Sequence, residues 1–245
     1  MIEHIKLIML VISQPTFFPW IGYFDLIEQA DSFVILDDVQ FSKQSWQQRN
    51  NFKGKNGLEL FTVPVISNKS ENLIDEILIF NPDRLKKKFS SFLKTNYSKS
   101  KFFNDYYSTF TNKFNEGAES KKLNILNKNL IITTLELLNI KTKIYFSSNF
   151  KINKKRTQKI IQLCEELNYK KYLSSEGAKD YLMIDKNLFI EKKINVFIHN
   201  YKHPEYKQLY QPFCAYACIL DLLMNEGNNS MKIILSGRGK NKKIF

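Results

Sequence analysis

Residues 7 to 30 constrain the fold more than any other part of the chain. The apolar run Leu7 to Ile12 reads as a buried strand, and Leu26-Ile27-Glu28-Gln29-Ala30 reads as a helix. Between them stands Ser13-Gln14-Pro15-Thr16-Phe17-Phe18-Pro19-Trp20-Ile21-Gly22-Tyr23-Phe24-Asp25. Pro15 and Pro19 fix φ and stiffen this corner, while Gly22 lets backbone or ligand come close. A buried strand that turns sharply into a helix is the opening unit of an α/β sheet. In an open sheet of that kind the turn lies at the carboxyl edge of the strands, where ligands bind. The competing reading is a rigid turn whose aromatics fold into the core.

A second strand follows at Phe33-Val34-Ile35-Leu36 and ends in Asp37 and Asp38. Neighbouring side chains on a strand point to opposite faces, so one of the two carboxylates is expected to face a given pocket. The next residues, Gln40 to Lys53, are dense in hydrogen-bonding groups: Gln40, Lys43, Trp46, Arg49 and Asn50. They lack the apolar stripe of an ordinary surface helix. They read as a ligand-contacting loop.

Further strands are expected at Leu58 to Val65, Thr142 to Phe146, Tyr172 to Ser174 and Asn195 to Ile198. Asn81-Pro82-Asp83 opens a helix, with proline early and a carboxylate in the first turn. Helical patterns continue over Leu85–Leu93, Phe102–Phe114 and Ser120–Leu138, then Lys154–Leu167, a helix from Ala178, and Ala217–Asn225. The tail Lys240–Phe245 is expected to fray. Strands alternating with helices predict a mostly parallel, Rossmann-like α/β sheet with a helical middle segment. Residues 1–245 read as one α/β domain with a mainly helical insertion at about 82–140. The corner also looks like that of nucleotidylyltransferase-type Rossmann folds. Here, however, Trp20-Ile21-Gly22-Tyr23 stands where those proteins carry H-x-G-H, and loss of both histidines argues against adenylyl transfer.

The chain carries a net charge of +13, which raises the question of nucleic acid. The lysines are scattered, and no aromatic-interleaved recognition motif accompanies them. An acidic partner or a solvated lysine background is the expectation, and no nucleic acid. Cys164, Cys214 and Cys218 have no spacing that demands a disulfide or a metal site, so no metal is expected. Free thiols, and no apolar segment of signal or membrane-spanning type, predict a cytoplasmic protein without a transmembrane segment.

Several dispersed blocks resemble the WbqC-like family of bacterial proteins. They are Gln14–Phe24, Ala30–Val34, Asp37–Phe41, Trp46–Asn50, Thr62–Val65, Tyr172–Leu182, His203–Gln208 and Ile219–Gly227. The blocks occur in the family's order across nearly the whole chain. Ser175 departs from the family's usual glycine. The resemblance implies a place in O-antigen, that is lipopolysaccharide, and related surface-glycan biosynthesis, a pathway more than a reaction.

Three segments are expected to build the site. The first is the corner, with Gln14, Pro19, Trp20 and Tyr23. The second holds Asp37, Asp38, Gln40, Lys43, Trp46, Arg49 and Asn50. The third joins Ser174, Ser175 and Gly177 to His203 and Tyr206. The small residues of Ser174–Gly177 can expose backbone N–H groups to an anion, or the serine can cap a helix. His203, held extended by Pro204, is the expected general base, with a structural histidine as the alternative. Asp37 or Asp38 would orient it, bind an amino group or itself serve as the base, and Arg49 would clamp a phosphate. The expected reaction moves an acyl or aminoacyl group from a thioester, on CoA or on the phosphopantetheine of an acidic acyl or peptidyl carrier protein, to the amine of a nucleotide-linked amino sugar. A non-catalytic sugar-nucleotide binding or scaffold protein is the alternative, and a glycosyltransferase ranks lower because Asp37-Asp38 lacks the D-x-D spacer.

Overall fold

A computed structural model describes residues 8–66 and 72–245. The expected start of the first strand, at Leu7, lies outside them. The elements in order are β1 (Leu10–Ser13), α1 (Ile21–Glu28), β2 (Ser32–Ile35), β3 (Arg49–Gly54), β4 (Gly57–Thr62), β5 (Val65–Ile66), β6 (Leu78–Ile79), α2 (Pro82–Tyr97), α3 (Phe103–Glu119), α4 (Leu123–Leu137), β7 (Lys143–Phe146), α5 (Arg156–Glu166), β8 (Lys171–Ser174), α6 (Lys179–Ile184), α7 (Lys186–Glu191), β9 (Asn195–Ile198), α8 (Ile219–Glu226), α9 (Ser230–Ser236) and β10 (Lys242–Lys243).

The main sheet runs β10-β9-β8-β1-β2-β7. Its first five strands in the chain are parallel, and β10 alone is antiparallel, against β9. Two small antiparallel pairs, β3-β4 and β5-β6, lie apart from it. From β1 the chain builds outward through β2 to β7, then returns to the other side of β1 for β8 and β9. The direction of growth therefore reverses between β1 and β8.

Alternation along the strands supplies two cores. Val11, Phe33, Ile35 and Leu173 pack with α1 to α4, α8 and α9 on one face. Leu10, Ile12, Val34, Tyr172 and Val196 pack with α5 to α7 on the other. Period-two alternation puts neighbours on opposite faces, and a parallel sheet needs both faces covered.

The larger core is aromatic. Phe17 and Phe18 of the corner, Phe52 and Phe61 of the β3-β4 pair, and Phe89, Phe110 and Phe114 of α2 and α3 are at most 1% exposed. Phe89 stacks on Phe114 at 3.8 Å between centroids and on Phe18 at 5.5 Å. Each buried phenylalanine contributes about 1.5–3 kcal/mol, with about 0.5–1.5 more for a well-placed ring pair. That offsets the backbone strain at Phe18, whose φ of 41° lies in the left-handed region. The two phenylalanines thus fasten the corner to the helical layer.

Three local expectations change. Helix α1 starts at Ile21, not near Leu26, so the turn is shorter. Residues 49–54, expected as part of a loop, form β3 by pairing with β4 from Arg49↔Thr62 to Gly54↔Gly57. The tail does not fray: Lys242 and Lys243 pair with Ile198 and Phe197, and Phe245 packs on Phe189 at 5.5 Å.

Candidate functional site

Two buried asparagine amides hold the corner. Asn50 Nδ2 donates to the carbonyls of Phe17 (3.0 Å) and Phe18 (2.8 Å). Asn127 Nδ2, from α4, donates to the carbonyls of Pro15 (3.2 Å) and Gln47 (2.7 Å). The start of α8 closes the other side, with Ile219 N–H donating to the Pro19 carbonyl (3.0 Å) and Cys218 N–H to the Asn51 carbonyl (2.8 Å). Trp20 precedes α1 and lies back over Gly22, where a Cβ would sit 2.3 Å from the indole. The first turn of α1 is therefore covered by an aromatic ring.

A cavity of about 520 Å³ opens beside this corner. That is within the range of sites for small ligands. It sits where Ser13 ends β1, Ser175 follows β8 and His199 follows β9. The carboxyl ends of the strands beside a reversal in sheet growth are where open α/β sheets bind ligands. Trp20, Trp46 and Tyr216 supply ring faces, and Thr16, Asn50 and Asn51 supply hydrogen-bonding groups. Among the described residues, no lysine, arginine, aspartate or glutamate lines it.

His199 is the histidine among the described residues that line the cavity. Its Nε2 meets Asp25 Oδ2 at 2.7 Å. Asp25 is fully buried on α1 and also accepts from Gln29 Nε2 (2.8 Å, on Oδ2) and Arg238 Nε (2.9 Å, on Oδ1). Arg238 also binds Glu28. Gln29 and Arg238 present donors, so the carboxylate at their focus accepts, and Nε2 of His199 is the donor to it. The neutral ring then keeps its lone pair on Nδ1. Tyr201 stacks on the His199 ring at 5.6 Å.

Six of the residues picked from sequence line the cavity: Pro19, Trp20, Tyr23, Trp46, Asn50 and Ser175. Gln14 stands behind it, accepting from Gln47 Nε2 (2.7 Å) and, on its carbonyl, from the Tyr23 hydroxyl (3.2 Å). Burial pushes the Tyr23 phenol well above its ordinary pKa. Arg49 opens β3 opposite Thr62, and Gln40 bridges to Leu73; neither lines the cavity, nor does exposed Lys43. Ser174 is buried and accepts from the Tyr172 hydroxyl (3.1 Å). Ser175 makes no side-chain cap, and Gly177 is open to solvent.

His203 is not among the lining residues. It stacks on Trp20 at 6.0 Å and 17°, its Nδ1 donates to the Pro204 carbonyl (2.9 Å), and its buried Nε2 has no partner among the described residues. Burial lowers its pKa, with the Pro204 bond pulling partly back. Tyr206 donates to buried Asp221 (2.8 Å). Asp37 and Asp38 point to the outer end of the sheet. Asp37 binds Lys128 (3.0 Å) and Ser148 (N–H at 2.9 Å, Oγ at 2.9 Å), and Asp38 binds Ser147 and Lys159. These contacts tie β2 to β7, α4 and α5, away from the cavity.

The residues missed in sequence were His199, Asp25 and Arg238. Each carried a signal. His199 is the first residue past a parallel strand. Asp25 is the lone charge inside the apolar stretch Ile21–Ile27, and Arg238 stands between two glycines.

No solved structure matches this chain. A protein of Mycobacterium tuberculosis described as uncharacterized is 33% identical over 218 residues, which cover 88% of this chain and 93% of that protein. The sequence profile of the WbqC-like protein family matches residues 14–233, which hold the corner, Asp25 and His199. With most of its length inside that match, the chain belongs to the WbqC-like protein family.

Proposed function

We propose that this protein is a cytoplasmic transferase of surface-glycan assembly. It moves an acyl or aminoacyl group from a thioester to the amine of a nucleotide-linked amino sugar. The observation that carries the reading is the Asp25–His199 pair opening on the cavity beside β1 and β8. We read the sheet as Rossmann-like, because its parallel strands follow the order 3-2-1-4-5 with the ligand crevice at the reversal.

In this reading the sugar ring enters the cavity against Trp20, Trp46 and Tyr216, with Asn50, Asn51 and Ser175 at its polar edges. The diphosphate stays at the rim, since no cation among the described residues lines the interior. The amine nitrogen attacks the thioester carbonyl. The N–C bond forms and the C–S bond breaks. His199 Nδ1 takes the amine proton, and the leaving thiolate receives it. Asp25 holds the ring and stabilises its cationic form. The +13 surface suits an acidic carrier protein or CoA as donor.

The test is incubation of the purified protein with nucleotide-linked amino sugars and CoA or carrier thioesters, read by mass spectrometry. A sugar gaining the acyl mass, and failing to gain it with His199→Ala, supports the reading. Tight binding of the sugar nucleotide with no mass gain from any donor replaces it with a non-catalytic binding role.

A further inference from the structure

The geometry points to Arg238 as a positioning residue, carried by a clip at Gly237–Asn241 that fixes which nitrogen of His199 holds the proton. The clip is built by close approach. A Cβ at Gly237 would lie 2.4 Å from the Lys202 carbonyl oxygen, and one at Gly239 would lie 2.6 Å from Asn200 Nδ2. Gly237 therefore needs glycine, because the clash is with backbone, and a side chain at position 239 would displace the Asn200 amide. The segment then pairs with the extension of β9: Lys202 N–H donates to the Gly237 carbonyl (2.9 Å), Gly239 N–H donates to the Asn200 carbonyl (2.8 Å), and Tyr201 bridges Arg238. This registers Arg238 against the same short stretch that carries His199.

The clip supplies or orients both of the other donors to Asp25. Arg238 Nε reaches Oδ1 directly at 2.9 Å, and its other arm is held by Glu28. Asn241 Nδ2 donates to Gln29 Oε1 (2.8 Å), which turns Gln29 Nε2 toward Asp25 Oδ2. A buried carboxylate needs paired charge and full hydrogen bonding. With Arg238 present the carboxylate accepts from every neighbour, so His199 Nε2 must donate and Nδ1 faces the cavity bare. Without Arg238 the carboxylate keeps only the neutral amide of Gln29 beside His199 and no cation, so the direction of the Asp25–His199 bond is held less firmly. A protonated carboxyl that donates to Nε2 then competes, and it moves the ring proton to Nδ1, where it blocks the base.

The inference rests on the proposed role of His199, but its test does not need turnover. The chain has three histidines, so ring ¹H–¹⁵N correlations of ¹⁵N-histidine-labelled protein can be assigned with His199→Gln and His203→Gln. The wild type is expected to show His199 protonated on Nε2 and bare on Nδ1 at neutral pH. Arg238→Gln is expected to shift both ring nitrogens toward the opposite tautomer, and Arg238→Lys to restore part of the wild-type pattern. Asn241→Ala, which leaves Arg238 in place, is expected to move the signals in the same direction by less, and it serves if Arg238→Gln does not fold. Wild-type nitrogen shifts for His199 in a folded Arg238→Gln or Asn241→Ala protein overturn the inference, as does a wild-type ring protonated on Nδ1. If transfer is detected, Arg238→Gln should lower kcat about 10- to 100-fold with KM unchanged, as when a group orienting a functional histidine is removed. Absence of transfer in the wild type removes the proposed reaction and leaves the ring assignment to stand or fall by its own measurement.

Discussion

His199 and His203 lie four residues apart on one extended segment, yet their surroundings assign them different work. His199 has a buried carboxylate at 2.7 Å and a cavity on its other side. His203 has the Pro204 carbonyl, a lone buried Nε2 and the face of Trp20. Burial keeps His203 uncharged, so it acts as a flat prop behind the indole. His199→Ala is expected to lower kcat about 10²- to 10⁴-fold, the range for a general base, and also to lower the melting temperature, because it takes a hydrogen-bond partner from buried Asp25. His203→Phe keeps the stack and is expected to stay within about threefold of wild type, since one stacking contact is worth about 0.5–1.5 kcal/mol. Steady-state rates of the two variants decide between the histidines; the reverse order returns the base to His203. Gly22 gives a second residue-level expectation. Gly22→Ala places a methyl 2.3 Å from the Trp20 ring, so the indole must leave its seat. The cost should be about 1–3 kcal/mol of stability, with a shift in tryptophan emission that a mere loss of helix would not give. Sequence pointed at this corner because prolines, glycine and aromatics there have local meaning. It could not choose His199, because the deciding partner, Asp25, is 174 positions away in the chain.

Among the elements, those with a strong period were legible and those built by tertiary pairing were not. Helix α2 begins as its letters predict: the Asn81 side chain accepts from Arg84 N–H (3.1 Å), Pro82 follows and Asp83 lies in the first turn. Strand β3 has no such signature. Arg49-Asn50-Asn51-Phe52-Lys53-Gly54 neither alternates nor is apolar, and it becomes a strand because β4 lies beside it and Asn50 is needed under the corner. Surroundings routinely override strand propensity in this way. Strand β10 is two exposed lysines whose side chains say nothing; the order comes from backbone pairing and from Ile244 and Phe245 behind them. Deleting residues 240–245 removes that edge and should lower stability by roughly 2 kcal/mol, the order expected for two half-buried apolar side chains. The shift in urea midpoint measures it. A midpoint equal to wild type would mean that the tail contributes no net packing. The deletion also removes Asn241, so the same variant should disturb the His199 ring signals.

At the scale of the whole molecule, the sheet order sets where the cavity lies, and buried charge on the flanking elements sets how stability depends on pH. Two carboxylates act in opposite directions. Asp37 is drawn both ways: burial raises its pKa, while the Ser148 N–H, Lys128 and the Ser148 hydroxyl lower it, and the lowering wins. Its contribution is present above the unfolded value and lost as pH falls. Asp221, on α8, is fully buried. It accepts from Tyr206 (2.8 Å) and Gln208 (2.8 Å), with Tyr97 and buried Lys53 close by. Burial outweighs those groups and pushes its carboxyl up to about 6. Between about pH 4 and pH 6 the folded chain thus holds a proton that the unfolded chain has released. Stability must fall as pH rises through that interval and level off above it, by on the order of 3 kcal/mol for this one group. Asp37 bends the curve down again below about pH 4, where growing positive charge on a +13 chain adds self-repulsion. Asp221→Asn keeps the shape of the side chain and removes the titration. It carries a pH-independent loss, because one amide cannot accept from every donor that now meets the carboxylate. Its denaturant-derived stability is therefore expected to lie below wild type at pH 4, to be flatter between pH 4 and pH 6, and to approach wild type by pH 7. Parallel curves for variant and wild type over that interval would show that Asp221 folds already ionised, with Lys53 as its true counter-ion.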